Sequence, residues 1–450
     1  MTESRSGLRA YLTVWAGQFL SLLGSGLSGF ALGVYVYRLT GSATTLGVIF
    51  ALGLLPSILA APFAGSLVDR WGTRRALLVS NAGNMAITLV LAVLLYTHTF
   101  QVWHVFPIVA VSSLVAALEV PAFGALAPQL VAKEQLGRVN GLRMFAVAAS
   151  QVLAPVTAGF LLLAIQIQGI ILVDFVSFLV AILTLLAVPI PAPPPTDEAE
   201  TTEGLRLWAD FTEGWRYIAG RPGLLGLLVF LASVNFSAGF IDLLITPLVL
   251  SFASPGSLGT VLTLGGIGMV VTSVAVSVRG GPRRRVRGIL GFSLVMAAAT
   301  VLGAARPDVV LVAVAAFIFM GALGVAISTN QTIWQTKVEQ RLMGRAISIV
   351  NMVSQVPQLV AYTVAGLAVD RVFAPLVGRD RVRSPALATL VGNGPGRGIA
   401  LLMMVMGVLI ALSVAVAAAN PRLRGLEDEL PDAVPETVAP PVPTTATAPR

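Results

Sequence analysis

Long apolar stretches recur along the chain with short polar interruptions. Twelve are long enough to cross a bilayer, at 11–38, 42–68, 76–97, 103–127, 141–165, 168–189, 223–250, 256–278, 288–305, 309–334, 345–369 and 397–419. A crossing helix needs about 20 apolar residues, and these runs meet that length. They are continuous, without the polar–apolar alternation over about ten residues that marks a membrane β-strand. Backbone polar groups find no water partners in lipid, so helices are the predicted form. The expected class is an all-α membrane protein with twelve transmembrane helices in two pseudo-symmetric six-helix halves.

Composition agrees. The chain has 450 residues, 56% hydrophobic and 11% charged. A soluble domain carries about 25% charged residues, so a soluble enzyme, a nucleic-acid binder or a disordered chain does not describe the whole protein. There is no cysteine, which excludes disulfides and thiolate chemistry. The two histidines, His98 and His104, are too few for a metal site. No phosphate-binding G-x-x-x-x-G-K-[S/T] loop occurs, so ATP hydrolysis is not the expected energy source and no cofactor is expected. The first apolar run, 11–37, is too long for a cleaved leader and reads as a span that stays.

The net charge of +8 becomes informative once it is sorted by side. Twelve spans put both termini on one side. That side holds 22 of the Lys and Arg residues and the other side 7, with most of the latter in the loop 370–396. Basic residues mark the cytoplasm, so both termini are expected inside, in a bacterial inner membrane. The loop 370–396 reads either as a solvated loop, partly neutralised by Asp370 and Asp380, or as a basic mouth that attracts anions.

The expected organisation is a first half 1–190, a cytoplasmic linker 191–222, a second half 223–420 and a disordered tail 421–450. The linker is Pro-rich and acidic, then carries Leu205, Trp208, Phe211, Trp215 and Ile218 at helical spacing. That helix either lies on the membrane surface or packs on the bundle. The halves resemble each other. Leu46-Gly47 recurs as Leu258-Gly259 at an offset of 212. Lys133 recurs as Lys337, and Ser150-Gln151-Val152 as Ser354-Gln355-Val356, both at 204. A duplicated bundle with a cavity between its halves suits an alternating-access transporter.

The second run closes on Gly65-Ser66-Leu67-Val68-Asp69-Arg70-Trp71-Gly72-Thr73-Arg74-Arg75. It resembles the G-x-x-x-D-R-x-G-[R/K]-R motif of the major facilitator superfamily, with Thr73 where a basic residue is usual. Pro121-Ala122-Phe123, Pro128-Gln129-Leu130-Val131, Asn140-Gly141-Leu142 and Asp174-Phe175-Val176-Ser177-Phe178 are similar to a branch of bacterial exporters of siderophores, macrolides and other drugs. The resemblance implies a gate. Asp69, held by Arg70, Arg74 and Arg75, would face the start of the eleventh span near Arg345 only when the cytoplasmic side is closed, with Gly65 and Gly72 as the motif's glycines. Ala154, Pro155 and Gly159 of the fifth span resemble the family's antiporter motif, with alanine at two glycine positions.

Three acids fall inside spans: Glu119, Asp174 and Asp242. A charge at mid-bilayer costs about 2.5–3.5 kcal/mol on insertion scales, so each needs a partner or a proton. The resemblance implies that the first, fourth, seventh and tenth spans line the cavity, which makes Glu119 and Asp242 lining residues. Glu119 is expected to bind the coupling proton or a cationic substrate, or else to be held by hydrogen bonds for packing. Packing is the plainer reading of Asp174. Gln18, Ser21, Ser25 and Ser28 of the first span, Asn235 of the seventh, and Asn330, Gln331 and Trp334 of the tenth are further cavity candidates. An otherwise apolar lining favours a bulky amphipathic substrate. The expectation is a monomeric, proton-coupled exporter of a hydrophobic or amphipathic small molecule, with protons and lipid as its other partners and no nucleic acid. Its rivals are an importer of the same fold and a non-transporting lipid-handling or sensory protein.

Overall fold

The computed structural model describes residues 2–132, 135–190, 212–339, 342–377 and 394–429. Twelve helices among them are long and apolar enough to cross a membrane. In order they are Thr2–Thr40, Ala43–Trp71, Thr73–Tyr96, the pair Val105–Ala116 and Glu119–Leu130 that forms the fourth span, Leu136–Ala164, Gln166–Ala187, Pro222–Leu250, Pro255–Arg279, Arg285–Ala305, Val309–Lys337, Met343–Ala368 and Arg397–Ala419. Their boundaries follow local chemistry. Ser42 and Ser254 cap the second and eighth spans through their hydroxyls, and Asp308 caps the tenth. Gly72 takes φ 80° between the second and third spans, a conformation that glycine adopts without strain.

The fourth span is broken in mid-course. Its first helix ends at Ala116 and its second begins at Glu119. Pro121 has no N–H to donate to the preceding turn, so the ladder lapses there. Ser80 Oγ of the third span donates to Val115 O at 3.3 Å, meeting one of the loosened carbonyls.

Each half has its own core. Leu91, Val105, Ala158 and Ile170 anchor one cluster of the first half, and Tyr11, Leu77 and Leu126 another. The second half is centred on Leu227, Leu243, Met296, Ile333 and Ala361. The halves meet at the end away from the chain termini. Val34 of the first span packs there with Val249, Leu258, Val261 and Val312. The second span meets the eleventh: Phe50 sits edge-on to Tyr362, with ring centroids 5.2 Å apart, and a Cβ at Gly47 would strike the Tyr362 carbonyl. The fifth span meets the eighth, where Thr263 Oγ1 donates to Val152 O at 2.7 Å. A Cβ at Gly259 would strike the Pro155 carbonyl, and one at Gly159 would lie 2.7 Å from Pro255 O. The repeated Leu46-Gly47 and Leu258-Gly259 thus occupy matching places on the two seams.

One segment differs from the sequence reading, and a second settles into one of its two alternatives. Residues 421–424 and 426–429, assigned there to the tail, are helical and packed, with Leu423 and Leu426 buried. Glu427 explains the docking: its carboxylate accepts the Arg285 and Val286 amides at 2.8 and 3.4 Å, closing the N-terminus of the ninth span. Lys337 Nζ donates to Glu427 O at 2.8 Å. The linker's last helical turns also pack on the bundle. Ile218 is fully buried, and Arg221 stacks on Tyr217 with its guanidinium 3.5 Å from the ring centre. Leu205, Trp208 and Phe211 lie outside the described residues, as does the tail beyond 429.

Candidate functional site

A cavity of about 360 Å³ lies inside the second half, walled by the seventh to twelfth spans. It exists because facing walls carry small residues: Ala299 and Gly303 on the ninth span, Ala315 and Ala316 on the tenth. Larger surfaces come from Ile241, Ile245, Phe319, Met320 and Leu323. Polar groups are few: Asn235, Asp242, Thr300 and Gln358. Asp242 is the one acid of this lining, and its side chain is exposed to it.

Asp242 is tied outward. Tyr362, itself buried, donates its hydroxyl to Asp242 Oδ2 at 2.6 Å, and Gln358 Nε2 donates to the Tyr362 hydroxyl at 2.6 Å. Tyr362 is also the residue that meets Phe50 and Gly47 across the seam. One side chain therefore touches both the cavity acid and the joint between the halves.

Of the cavity candidates, Asn235 lines this space with Asp242, and the others lie elsewhere. The sequence reading put the cavity between the halves, whereas this cavity belongs to the second half. Gln18, Glu119 and Asp174 are not on its wall. Gln18 is 5% exposed, and neither amide atom has a partner. Glu119 is half-buried at the start of the broken fourth span's second helix, where free backbone amides favour a carboxylate. The tenth-span trio also misses the wall, since the lining residues of that helix lie one to two turns away. Trp334 is buried and donates to Asn330 Oδ1 at 2.9 Å, a packing contact, and Gln331 is exposed.

At the terminal end, Asp69, Arg70 and Trp71 are exposed, and Gly65 faces open space. The side chain of Arg345 lies outside the described residues. Arg74 reaches sideways instead, donating to Leu186 O at 3.1 Å. Thr73 is 3% exposed and accepts a hydrogen bond from Gln129 Nε2 at 2.8 Å. A longer basic side chain at this buried position would displace the Gln129 contact.

At the opposite end the structure holds a contact that the sequence reading missed. The eleventh span runs on through a π-turn, Val369–Phe373, which carries Asp370 to the start of the second span. Its Oδ2 accepts from Ser42 Oγ at 2.8 Å, the Thr44 amide at 2.9 Å and Thr44 Oγ1 at 2.7 Å, and its Oδ1 accepts the Ala43 amide at 3.3 Å. Arg397 lies close by. It opens the twelfth span, is 3% exposed, and donates to Ala305 O at 3.3 Å. Residues 378–393 lie outside the described residues.

Residues 14–362 match the profile of the Major Facilitator Superfamily. The chain belongs to the major facilitator superfamily. It is thus a membrane transporter and not an enzyme, and the fold is shared by solved structures. A bacterial homologue of the lysosomal transporter Spinster superposes with a TM-score of 0.66 at 12% identity, covering 91% of this chain and 96% of that one. A bacterial homologue of ferroportin gives 0.62 at 15% identity, covering 92% and 99%. Among curated relatives, macrolide efflux protein A of Streptococcus pyogenes is 24% identical over 80% of this chain and 90% of its own length. The staphyloferrin A transporter of Staphylococcus aureus is 22% identical over 75% and 84%. The enterobactin exporter EntS of Escherichia coli is 24% identical over 90% and 91%.

Proposed function

We propose that this superfamily member exports a hydrophobic or amphipathic small molecule from the bacterial cytoplasm in exchange for protons. The observation that carries the reading is the apolar cavity with Asp242 as its one acid. Such a lining suits a substrate with a large apolar body and a basic group. Relatives named for macrolide efflux and enterobactin export agree with an outward direction. The excess of basic residues on the side of the termini supports placing that side in the cytoplasm.

Asp242 carries a proton or faces a cation in turn, because an unpaired charge at that depth is costly. Glu119 supplies a second proton-carrying carboxylate at a helix break, the kind of place where transporters build sites. The two gates are mutually exclusive. Asp370 holds the halves together at the outer end in the state seen here. Asp69 takes the corresponding role when the cytoplasmic end closes and the outer end parts. Each contact exists in one state alone, as a two-state cycle requires.

The test is transport in inverted vesicles with a labelled macrolide that carries a basic amine. Proton-driven accumulation is expected, abolished by collapsing the gradient and strongly reduced in Asp242→Asn. Glu119→Gln is expected to lose proton dependence. Accumulation that survives collapse of the gradient overturns the coupling, and uptake in the opposite sense overturns the direction.

A further inference from the structure

Asp174 of the sixth span lies apart from the cavity and is 4% exposed. Ser25 Oγ and Ser177 Oγ each lie 3.5 Å from its Oδ1. The hydroxyls of Ser28 and Thr88 interact with the same carboxylate. Three spans, the first, third and sixth, thus bring four hydroxyls to one acid.

The two hydroxyl contacts measured to Oδ1 are long for hydrogen bonds. Ser177 donates to the main-chain carbonyl of its own turn, Asp174 O, at 2.7 Å. Its single proton is thus directed mainly at Asp174 O and only weakly at Oδ1. Ser28 Oγ is sealed from solvent and makes no well-formed hydrogen bond. Hydrogen bonds between oxygens run about 2.5–3.0 Å, shorter than the two 3.5 Å separations. The larger hard cations, of about the size of Ca²⁺, hold oxygen ligands at about 2.3–2.6 Å, so neighbouring ligands at right angles sit about 3.3–3.7 Å apart. The observed spacing matches the second pattern. The space beside Oδ1 is kept by a glycine: a Cβ at Gly24 would lie 2.8 Å from Oδ1 and would strike Ser177 Oγ. Ser25, at the side of the cluster, is exposed.

We propose that Asp174, Ser25, Ser28, Thr88 and Ser177 form a binding site for a small hard monovalent cation, Na⁺. One carboxylate among neutral hydroxyls balances a single positive charge. A divalent ion would leave a net charge inside the bilayer, which is costly. The site does not depend on the reading of the cavity, because it shares no residue with it.

The test is equilibrium binding of radioactive Na⁺ to the purified full-length protein, at constant ionic strength with choline as the replacement ion. Saturable binding of one ion per chain is expected, weaker at pH 5.5 than at pH 8.5 because protons compete for the same carboxylate. Asp174→Asn is expected to abolish binding. Ser28→Ala and Thr88→Val are each expected to weaken it about tenfold or more. Ser112→Ala, which alters a hydroxyl bonded to Asn84 instead, is expected to bind as the parent does. Should Asp174→Asn fail to fold, the parent protein and Ser28→Ala carry the test. No saturable Na⁺ binding by the parent overturns the proposal. So does binding that survives Asp174→Asn or Ser28→Ala unchanged, and so does a site that takes protons alone.

Discussion

The Asp370 carboxylate, on the last turn of the eleventh span, accepts both the amide and the hydroxyl of Thr44, at 2.9 and 2.7 Å, and so closes the N-terminus of the second span. An acid of one half caps a helix of the other. A carboxylate at a helix N-terminus contributes about 0.3–1 kcal/mol, and up to about 2 when partly buried. Asp370→Asn keeps the shape and removes the charge. At about 1 kcal/mol, the ratio of the two gate states is expected to move about fivefold away from the outer-closed form. The absence of cysteine allows a clean measurement. Spin labels at Leu39→Cys and Val372→Cys report the outer end, and labels at Asn140→Cys and Val278→Cys the inner end. The outer distance is expected to lengthen and the inner to shorten. Unchanged distributions would remove Asp370 from the gate.

Tyr362 serves two contacts, and a single oxygen separates them. Tyr362→Phe retains the ring that meets Phe50 but removes the hydroxyl that Asp242 accepts. A hydrogen bond to a charged group is worth about 1.5–3 kcal/mol. The expected result is slower proton-driven transport with an altered pH profile, and unchanged outer spin-label distances. Transport and pH profile equal to the parent's would show that the hydroxyl plays no part.

The glycines of the spans divide into two kinds. Gly259→Ala would set a methyl on the Pro155 carbonyl, and overpacking of this sort costs about 1–3 kcal/mol. It is expected to push the protein out of the outer-closed state. Gly29→Ala meets nothing within 4 Å and is expected to gain about 0.5–1 kcal/mol from better helix propensity. Thermal unfolding in detergent and the outer label pair check both. A destabilised Gly29→Ala, or a Gly259→Ala with the parent's distances, would contradict the packing described.

Thr73 gives a prediction against the family pattern. Thr73→Arg breaks the bond from Gln129, whose Oε1 already lacks a partner, and forces bulk into a 3% exposed position. A loss of about 1–3 kcal/mol is expected, read as a lower unfolding midpoint, with Thr73→Ser close to the parent. An equally stable Thr73→Arg would mean that the side chain finds a route to solvent.

The spans were legible because lipid leaves a chain few choices: long apolar runs must become helices. The motif around Asp69 was legible because it is contiguous. Asp370 was not. Its neighbours in sequence are a helix end and a basic loop, and its partners, Ser42 and Thr44, stand more than three hundred residues away. The only local hint is that the helical register can continue past Val369. The break before Glu119 left a clearer trace in Pro121, whose missing N–H foretells a lapse in the ladder. The location of the cavity was illegible for a different reason. It depends on small residues of separate spans, such as Gly303 and Ala315, facing each other, and no single stretch records that.

The two glycine seams carry a consequence for turnover. A transporter must separate these surfaces and rejoin them in every cycle. Where Gly47 lies on the Tyr362 backbone and Gly259 on that of Pro155, adhesion comes from shape, and parting the surfaces strands no ion in oil. The charged cap at Asp370 sits at the rim, where water takes it over as the contact breaks. Adhesion and registration are thus assigned to different atoms, so the joint can be firm without being slow to release.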